Sequence, residues 1–367
     1  MYNKAFIIGK FLPPHLGHLS LIRSAKSLAK EVYVAVEQIE NEPLNVHTRA
    51  QLLSQDVSSG VHVVPFLYSL PPSPDHVSNK EEFWKNWQQA ISETCPDMDV
   101  LVSSDDYGYK LAKDQNVPWV KVDRSSYPMS ATHLKEKFWG RTEHLTPSVK
   151  AYFTKRIALV GDESTGKSFL ANMLAQRYKT VCVPEMAEYI IKAKQLNPNH
   201  LTQEDLLSFV QSQQASRTGL LPLAQNILFE DSNELTTCVY AKLFGFVDLS
   251  QQLEQLFVKN APHHTIVALK KGSHFEPSPH RLDPSQKYFS IEQEMIDLLK
   301  KHNCSYSTIE GDWELRTQKA CDQVSSLVSF WKQLDFAHHC KLAMGPQSSQ
   351  EDQPVAPLSG PKAYYKV

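Results

Sequence analysis

The chain has 367 residues, a length that fits about two globular domains of ordinary size. Hydrophobic residues make up 41% of the sequence and charged residues 21%, which excludes a disordered or fibrous chain because packed cores can form. Lysine and arginine number 38 against 40 aspartate and glutamate, which excludes a bulk electrostatic attraction to nucleic acid or an anionic membrane.

Signals of export and of metal binding by cysteine are also missing from the sequence. No stretch approaches the roughly 20 consecutive apolar residues of a transmembrane helix, and the first ten residues do not read as a signal peptide. The six cysteines are scattered, with no C-x-x-C pair among them. We therefore expect reduced thiols in a soluble, cytoplasmic protein.

Short apolar runs alternate with helix-like stretches in the first part of the chain, the pattern of an α/β protein with a parallel sheet. Strands are predicted at Ala5–Gly9, Val32–Val36, Val61–Phe66, Val100–Ser103 and Trp119–Val122. Helices are predicted between them at Gly17–Lys30, Lys80–Thr94 and Tyr107–Asn116.

A second alternation of the same kind follows. It opens with a strand at Ile157–Val160 and a helix at Gly166–Tyr178. Further strands are predicted at Val181–Pro184, Ile227–Asp231 and Thr265–Leu269. The sequence therefore predicts two tandem parallel-sheet α/β modules.

The joint between the modules is predicted near Thr146–Lys155, where Pro147 interrupts the chain and a new strand opens. We accordingly expect one domain over residues 1–150 and a second over residues 151–335. Residues 345–367 carry several prolines among serine, glutamine and acidic residues, so this tail is expected to be disordered.

A histidine pair follows the first predicted strand. His15 and His18 flank Gly17 at the point where the strand passes to a helix. Open α/β sheets bind ligands at the carboxyl ends of their strands, and the free N–H groups of a helix N-terminus favour phosphate. Gly17 would let phosphates approach the backbone closely. The segment therefore predicts a triphosphate site, with the alternative that one histidine caps the helix and the other faces solvent.

Residues 161–168 read G-D-E-S-T-G-K-S, a complete P-loop pattern between a predicted strand and a predicted helix. In such a loop the backbone N–H groups hold the β-phosphate, Lys167 reaches the β and γ oxygens, and the Ser168 hydroxyl binds Mg²⁺. Asp231 is predicted as the carboxylate beside the metal, with helix capping as its alternative. The predicted phosphate-binding residues are Gly161, Glu163, Ser164, Thr165, Gly166, Lys167 and Ser168.

Three more charged residues complete this predicted site. Glu185 follows the next strand and is placed to orient or deprotonate an acceptor hydroxyl, the alternative being a solvated helix start. Arg281 and Lys287 lie in a stretch rich in proline and histidine. We predict a mobile lid there that brings positive charge to the transferring phosphoryl group, with solvated surface charge as the alternative.

The segment from Gly9 to His18, with its H-x-G-H core, resembles the signature of the nucleotidylyltransferase superfamily. Residues 130–135 resemble the S-[SG]-T-x-x-R phosphate loop of that superfamily, with lysine in place of the arginine. The resemblance implies a Rossmann-like fold and histidines that stabilise phosphate charge without a covalent intermediate. The implied ATP-binding residues are Gly9, Lys10, Phe11, His15, Gly17, His18, Ser130, Thr132 and Lys135.

The two modules in one chain resemble the bacterial NadR family, from about Ala5 to about Val328. Further motifs carry this resemblance: S-S-D-D-Y-G at 103–108, F-W-x-x-W at 83–87, P-E at 184–185 and L-F-E-D-S-N at 228–233. Asn233 stands where the family usually has aspartate, and the arginine of its P-E-Y-A-R-E-Y motif is absent, either replaced by Glu188 or deleted. The implied nicotinamide-nucleotide site consists of Trp84, Trp87, Asp105 and Tyr107, with core packing as the alternative for at least one tryptophan.

The NadR resemblance implies two linked reactions that consume ATP with Mg²⁺. A ribosylnicotinamide kinase would phosphorylate nicotinamide riboside to nicotinamide mononucleotide, and an adenylyltransferase would join the mononucleotide to AMP, giving NAD and pyrophosphate. No nucleic-acid or membrane partner is expected, and homo-oligomer formation is left open. One alternative keeps the adenylyltransferase but makes the P-loop module regulatory. Another is a nucleotidylyltransferase for a different acceptor, such as phosphopantetheine, fused to an unrelated NTPase.

Overall fold

The computed structural model describes residues 1–68, 70–71, 74–123, 130–270 and 289–344. Within these ranges the chain forms two five-stranded sheets in which all strand pairs are parallel, each covered by helices on both faces. The predicted pair of parallel-sheet α/β modules is confirmed. No helix in the described part of the chain has the length and apolar character needed to cross a membrane. The predicted lid residues Arg281 and Lys287, and the tail over 345–367, lie outside the described residues.

The sheet of the first module has the order β3-β2-β1-β4-β5. Its strands are β1 (Tyr2–Gly9), β2 (Ala29–Glu37), β3 (Val61–Phe66), β4 (Val100–Ser103) and β5 (Trp119–Lys121). Its helices are α1 (Leu16–Leu28) and α2 (Val46–Gln55) on one face, and α3 (Lys80–Thr94) and α4 (Tyr107–Asp114) on the other. Strand order reverses between β1 and β4, so the loops that follow these two strands open onto a common crevice.

Three short helical segments complete the first module and lead to the second. They are α5 (Ala131–Glu136), a 3-10 segment (Phe138–His144) and α6 (Pro147–Phe153). Pro147, which we expected to interrupt the chain, instead lies in the first turn of α6. The missing N–H of proline has no helical partner at that position in any case, so the residue is accommodated there.

The second sheet has the order β10-β9-β6-β8-β7. Its strands are β6 (Lys155–Gly161), β7 (Cys182–Val183), β8 (Ile227–Asp231), β9 (His264–Ala268) and β10 (Tyr306–Ile309). The helices are α7 (Lys167–Arg177), α8 (Met186–Lys194), α9 (Gln203–Leu220), α10 (Glu234–Leu243), α11 (Val247–Lys259), α12 (Ile291–Lys301), α13 (Trp313–Gln333) and α14 (Phe336–Met344). Helices α7 and α13 cover one face, and α8 to α12 cover the other. All six cysteines are free thiols, as expected.

A buried ion network ties α9 and α10 to the second sheet. Glu230 of β8 contacts Arg156 at 2.5 Å and Arg217 of α9 at 3.0 Å. Arg217 also contacts Glu234 of α10 at 2.7 Å. Pairing offsets much of the cost of burying these charges, so the network fixes the spacing of α9 and α10 beside β8.

Lys155, the first residue of β6, carries a buried amino group at the junction between the modules. Its side chain is fully buried, and the Nζ atom has no hydrogen-bond partner among the described residues. It interacts electrostatically with His263 and with His339 and Cys340 of α14. Burial lowers the pKa of Lys155 from its usual 10.5 to about 8.

Replacing Lys155 with methionine should stabilise the chain in a pH-dependent way. Below pH 8 the folded wild type holds a buried ammonium group and carries the full cost of its desolvation. Between about pH 8 and pH 10.5 the unfolded chain binds more protons than the folded chain, so rising pH removes that cost. In urea unfolding at pH 7, we expect Lys155→Met to raise the unfolding free energy by about 2–3 kcal/mol, and we expect this gain to shrink toward pH 10.5. The exposed Lys332→Met variant is the control. A gain in unfolding free energy that does not change with pH would contradict the lowered pKa of the buried Lys155 amino group.

Candidate functional site

His15 and His18 lie where β1 passes to α1. His15 caps the helix, because its Nδ1 atom accepts the Gly17 N–H at 3.1 Å. The His15 N–H is in turn donated to Nδ1 of His18 at 3.2 Å, so the two side chains cap the helix reciprocally. Their ring centroids are 3.7 Å apart. The alternative that one histidine faces solvent is wrong, because both rings are buried.

The caps fix the tautomer of both rings. Each Nδ1 atom accepts a hydrogen bond, so in the neutral imidazole the proton lies on Nε2. His15 and His18 therefore each carry an Nε2–H donor at the carboxyl edge of the sheet. Paired imidazole donors beside a helix N-terminus suit the oxygen atoms of a phosphate.

The residues between the strand and the histidines have different environments. The Phe11 ring is buried with a backbone φ of 47°, and its centroid lies 4.7 Å from that of His18. A Cβ atom on Gly9 would lie 3.4 Å from the Phe11 ring, so this ring packs directly on the end of β1. The Lys10 side chain is exposed at the edge of the sheet. Phe11 therefore shapes the loop, whereas the Lys10 ammonium group is open to solvent.

Arg49, which no motif marks, holds this edge of the sheet together. Its buried guanidinium group donates to the carbonyls of Leu44 at 2.9 Å and Glu37 at 3.1 Å, and also to the Lys10 carbonyl. Burial lowers the pKa of Arg49, so these three carbonyls replace the water that its charge has lost. Arg49 thereby fixes the ends of β1 and β2 relative to one another.

The predicted second phosphate loop packs against the histidine segment. Ser130 caps α5 by accepting the His133 N–H at 3.3 Å. Leu134 of α5 lies in the same buried cluster as Leu12, and His15 forms a β-bridge with Leu145. The segment that carries Ser130, Thr132 and Lys135 therefore folds back onto the loop that carries His15. The Thr132 side chain is exposed, and the Lys135 side chain is half-buried.

The two tryptophans of the predicted nicotinamide site differ. Trp87 is buried and donates its indole N–H to the Pro71 carbonyl at 3.3 Å, so it is a residue of the hydrophobic core. Trp84 is half-buried, and its ring centroid lies 5.2 Å from that of Tyr107. The Tyr107 hydroxyl is buried without a hydrogen-bond partner among the described residues, and Asp105 is exposed. Trp84 and Tyr107 therefore form a partly buried pair of aromatic rings.

The P-loop of the second module requires both of its glycines. Gly161 has φ 151°, and a Cβ atom there would lie 2.4 Å from the carbonyl oxygen of Ala268. Gly166 has φ 81°, and a Cβ atom there would lie 2.7 Å from the Trp313 ring. Side chains at these two positions would therefore clash as well as strain the backbone. The Thr165 hydroxyl donates to the Asp162 carbonyl at 2.7 Å and closes the loop internally.

Three charged side chains meet at the start of α7. The Lys167 Nζ atom lies 3.1 Å from Oε2 of Glu185. Burial disfavours the ammonium charge, but the carboxylates of Glu185 and Asp231 outweigh it and raise the pKa of Lys167. Burial and the neighbouring Glu185 carboxylate raise the pKa of Asp231 to about 6, against the opposing effects of Lys167 and a hydrogen bond with Ser168. Lys167 is therefore held protonated between two carboxylates.

Ser168 and Asp231 form an oxygen pair that suits Mg²⁺. Asp231 lies at the end of β8, the strand that pairs with β6, and this confirms the adjacency predicted from the sequence. Its Oδ1 atom is buried and has no hydrogen-bond partner among the described residues. A carboxylate beside a hydroxyl is a donor set for a hard cation.

A cavity opens beside Lys167 and Glu185. Its empty space, open mouth included, is about 730 Å³, a size that fits a small organic molecule. Apolar side chains from α8, α9 and α10 and the segments beside them form most of its wall: Ala187, Ile191, Pro198, Leu201, Leu206, Phe209, Tyr240 and Phe244. Three buried polar atoms that line it have no hydrogen-bond partner among the described residues: Ser232 Oγ, Asn233 Nδ2 and Thr236 Oγ1. The cavity therefore combines apolar walls with polar atoms that can form hydrogen bonds to a ligand.

Gln213 of α9 joins the two elements that supply the carboxylates of this site. Its Oε1 atom accepts the N–H of Met186, the residue after Glu185, at 3.0 Å. Its Nε2 group donates to the carbonyls of Ser232 at 3.1 Å and Asp231 at 3.4 Å. Gln213 is buried and lines the cavity, so it fixes the start of α8 relative to the end of β8.

Known proteins are similar to this chain over both modules. The AAA domain family model matches residues 156–316. A curated relative from Salmonella typhimurium, "Trifunctional NAD biosynthesis/regulator protein NadR", is 20% identical over 344 residues, covering 89% of this chain and 83% of the relative. The Escherichia coli protein of the same name is 20% identical over 356 residues, covering 88% and 82%. The chain is therefore similar to NadR. The NadR match extends over both modules, so the predicted family resemblance is confirmed.

Two NadR crystal structures share the fold. The NadR protein in complex with NAD and AMP-PNP superposes with a TM-score of 0.66 at 19% identity, covering 90% of this chain and 97% of that chain. The NadR complex with NR gives a TM-score of 0.66 at 21% identity, covering 89% and 95%. The two-module arrangement is therefore the fold of NadR.

Two departures from the NadR motifs have a clear local outcome. Asn233, where NadR proteins usually have aspartate, caps α10 by accepting the Leu235 N–H at 3.0 Å, a role that aspartate fills equally well. Glu188, near the position of the missing arginine, is exposed and contacts Lys192 at 2.5 Å on the surface of α8. The first departure therefore keeps the helix cap, and the second places on the surface of α8 a carboxylate whose charge helps to raise the pKa of Asp231.

We expect Gln213→Leu to destabilise the second module. The substitution leaves the Met186 N–H and the Ser232 carbonyl without the partners that they have in the wild type, at a cost of about 1–3 kcal/mol. Urea unfolding of the variant and the wild type measures this loss. The exposed Gln211→Leu, on the same helix, is the matched control and should change the unfolding free energy by less than about 0.5 kcal/mol. Equal effects of the two substitutions would show that Gln213 does not join α8 to β8.

Proposed function

We propose that this chain makes NAD from nicotinamide riboside in two steps, each consuming ATP. A kinase domain over 151–335 would phosphorylate the riboside, and an adenylyltransferase domain over 1–150 with a Rossmann-like nucleotidylyltransferase fold would convert the product to NAD. The observation that carries the proposal is the contact between Lys167 and Glu185 at the wall of the cavity described above, in a chain similar to NadR along both modules.

In the proposed kinase step, the P-loop amides and Lys167 bind the phosphates of ATP. Ser168 and Asp231 would hold Mg²⁺, which supplies positive charge to the β- and γ-phosphates. The riboside occupies the cavity, with its 5′-hydroxyl at Glu185. Phosphate oxygens draw Lys167 away from Glu185, whose carboxylate then accepts the hydroxyl proton. The O5′–P bond forms, the bond between the γ-phosphorus and the bridging oxygen breaks, and ADP leaves.

Glu185 favours this kinase over a regulatory P-loop domain. A domain that only binds nucleotide has no need of a carboxylate between the P-loop lysine and a cavity for another ligand. Here the carboxylate lies 3.1 Å from Lys167 and lines the cavity together with it. The proposed lid residues Arg281 and Lys287 would add positive charge to the transferring phosphoryl group.

In the proposed adenylyltransferase step, the phosphate of nicotinamide mononucleotide attacks the α-phosphorus of ATP and pyrophosphate leaves. Negative charge builds up on the phosphate oxygens, and donors already in position stabilise it best. The Nε2–H groups of His15 and His18 and the Lys10 ammonium are the proposed donors, and Ser130, Thr132 and Lys135 would close the site. Gly17 would let the phosphates approach the backbone closely, and Trp84, Tyr107 and Asp105 would hold the nicotinamide nucleotide.

Two substitutions should separate the reactions. His18→Ala should lower NAD formation from the mononucleotide by about 10²–10³-fold, because a transition-state donor is lost, and should leave riboside phosphorylation unchanged. Lys167→Ala should have the reverse effect. Chromatography of the products from each substrate measures both activities. The exposed His47→Ala and Lys259→Ala are matched controls that should keep both activities, and loss of both reactions in either site variant, while it remains folded, would contradict the two-site proposal.

A further inference from the structure

Two exposed aromatic side chains meet beside the P-loop. Phe169 is the third residue of α7 and Trp313 is the first residue of α13. Their side chains are 57% and 43% exposed, and their ring centroids lie 4.6 Å apart at an interplanar angle of 74°. Large apolar side chains that stay exposed next to a ligand-binding loop commonly mark a binding surface. Neither residue has a part in the phosphate contacts proposed above.

Trp313 is held rigidly against the P-loop. Its ring covers Gly166, where an added Cβ atom would lie 2.7 Å from the indole. Arg316, three residues further along α13, is buried and donates to the carbonyls of Thr165 at 3.0 Å and Gly311 at 2.7 Å. The start of α13 is therefore joined to the phosphate-binding loop by hydrogen bonds. A rigid aromatic ring loses little conformational freedom when a ligand stacks on it.

The sheet order gives the direction in which a bound nucleotide runs. Strand β6, which leads into the P-loop, lies between β8 and β9. The acceptor cavity is on the β8 side, because Ser232, Asn233 and helices α8 to α10 line it. Trp313 follows β10, on the other side of β6. A triphosphate whose γ-phosphate points toward Glu185 must therefore carry its nucleoside away from the cavity, toward β9 and β10.

We propose that Trp313 and Phe169 form the binding platform for the adenine base of the kinase nucleotide. The base stacks on the Trp313 indole, and the Phe169 ring borders it. Aromatic rings and nucleobases stack through their π faces, an interaction that needs no hydrogen-bond pattern. The direction of the nucleotide rests on the proposed kinase function, whereas the platform itself rests on the position of Trp313 over Gly166.

Trp313→Ala in the full chain tests the platform. In riboside phosphorylation we expect the KM for ATP to rise by about 10–100-fold, the range of a lost base–aromatic stack. The KM for the riboside and the adenylyltransferase activity should stay unchanged, and Trp313→Phe should restore most of the ATP affinity. Leu315→Ala, on the same helix and 46% exposed, is the matched control and should leave the KM for ATP unchanged. An unchanged KM for ATP in Trp313→Ala would overturn the proposal.

Inorganic tripolyphosphate separates base stacking from support of the loop, because it offers phosphates and no base. Titration calorimetry measures binding at the P-loop, identified as the binding that Lys167→Ala abolishes. This measurement needs no turnover, so the test holds even if riboside phosphorylation is absent and the proposed function fails. Trp313→Ala should weaken ATP by about 10–100-fold at this site and leave tripolyphosphate unchanged. Equal weakening of both ligands would assign Trp313 to loop support and overturn the platform, as would equal ATP affinity in the variant and the wild type.

Discussion

The first N–H groups of a helix have no partner within the helix, and in both modules such a helix start lies at the carboxyl edge of a parallel sheet. In the first module, His15 and His18 cap the start of α1 and keep their Nε2–H groups as donors. In the second, Gly161 and Gly166 let the loop close tightly enough to lead β6 into α7. The proposed chemistry depends on these two junctions, where phosphate would be bound locally in a chain of formal net charge −2.

Elements that contain a short apolar run, or apolar residues at helical spacing, were predictable from the sequence. Strands β3, β4 and β8 and helix α3 have their predicted bounds, and the other predicted strands and helices differ from the observed ones by a few residues at their ends. Strand β10 is absent from the prediction because it lies at the edge of its sheet, with Tyr306, Ser307 and Thr308 only partly buried or exposed. Helices α8 to α12, which cover one face of the second sheet, were also not predicted, although capping residues mark the starts of α9, α10 and α12.

The candidate sites divide in the same way. A contiguous motif shows its residue types and their spacing directly in the sequence. Lys167, Ser168 and the histidine pair could therefore be named as candidate phosphate-binding residues from the sequence. Gln213, Arg49 and Arg316 act through contacts with backbone carbonyls on other elements, up to 151 residues away. A polar residue in a helical pattern suggests a solvent-exposed face of the helix. Only the tertiary structure shows that these three side chains are buried. The position of Trp313 over Gly166 also depends on β10, which the sequence did not predict.

Whether one chain carries both reactions is measured most directly by supplying purified protein with nicotinamide riboside and Mg·ATP alone and following the products by chromatography over time. We expect nicotinamide mononucleotide and ADP to appear first, and NAD and pyrophosphate to follow without any added mononucleotide. NAD formed only when the mononucleotide is supplied would contradict the kinase assignment. No product from either nicotinamide compound would contradict both assignments.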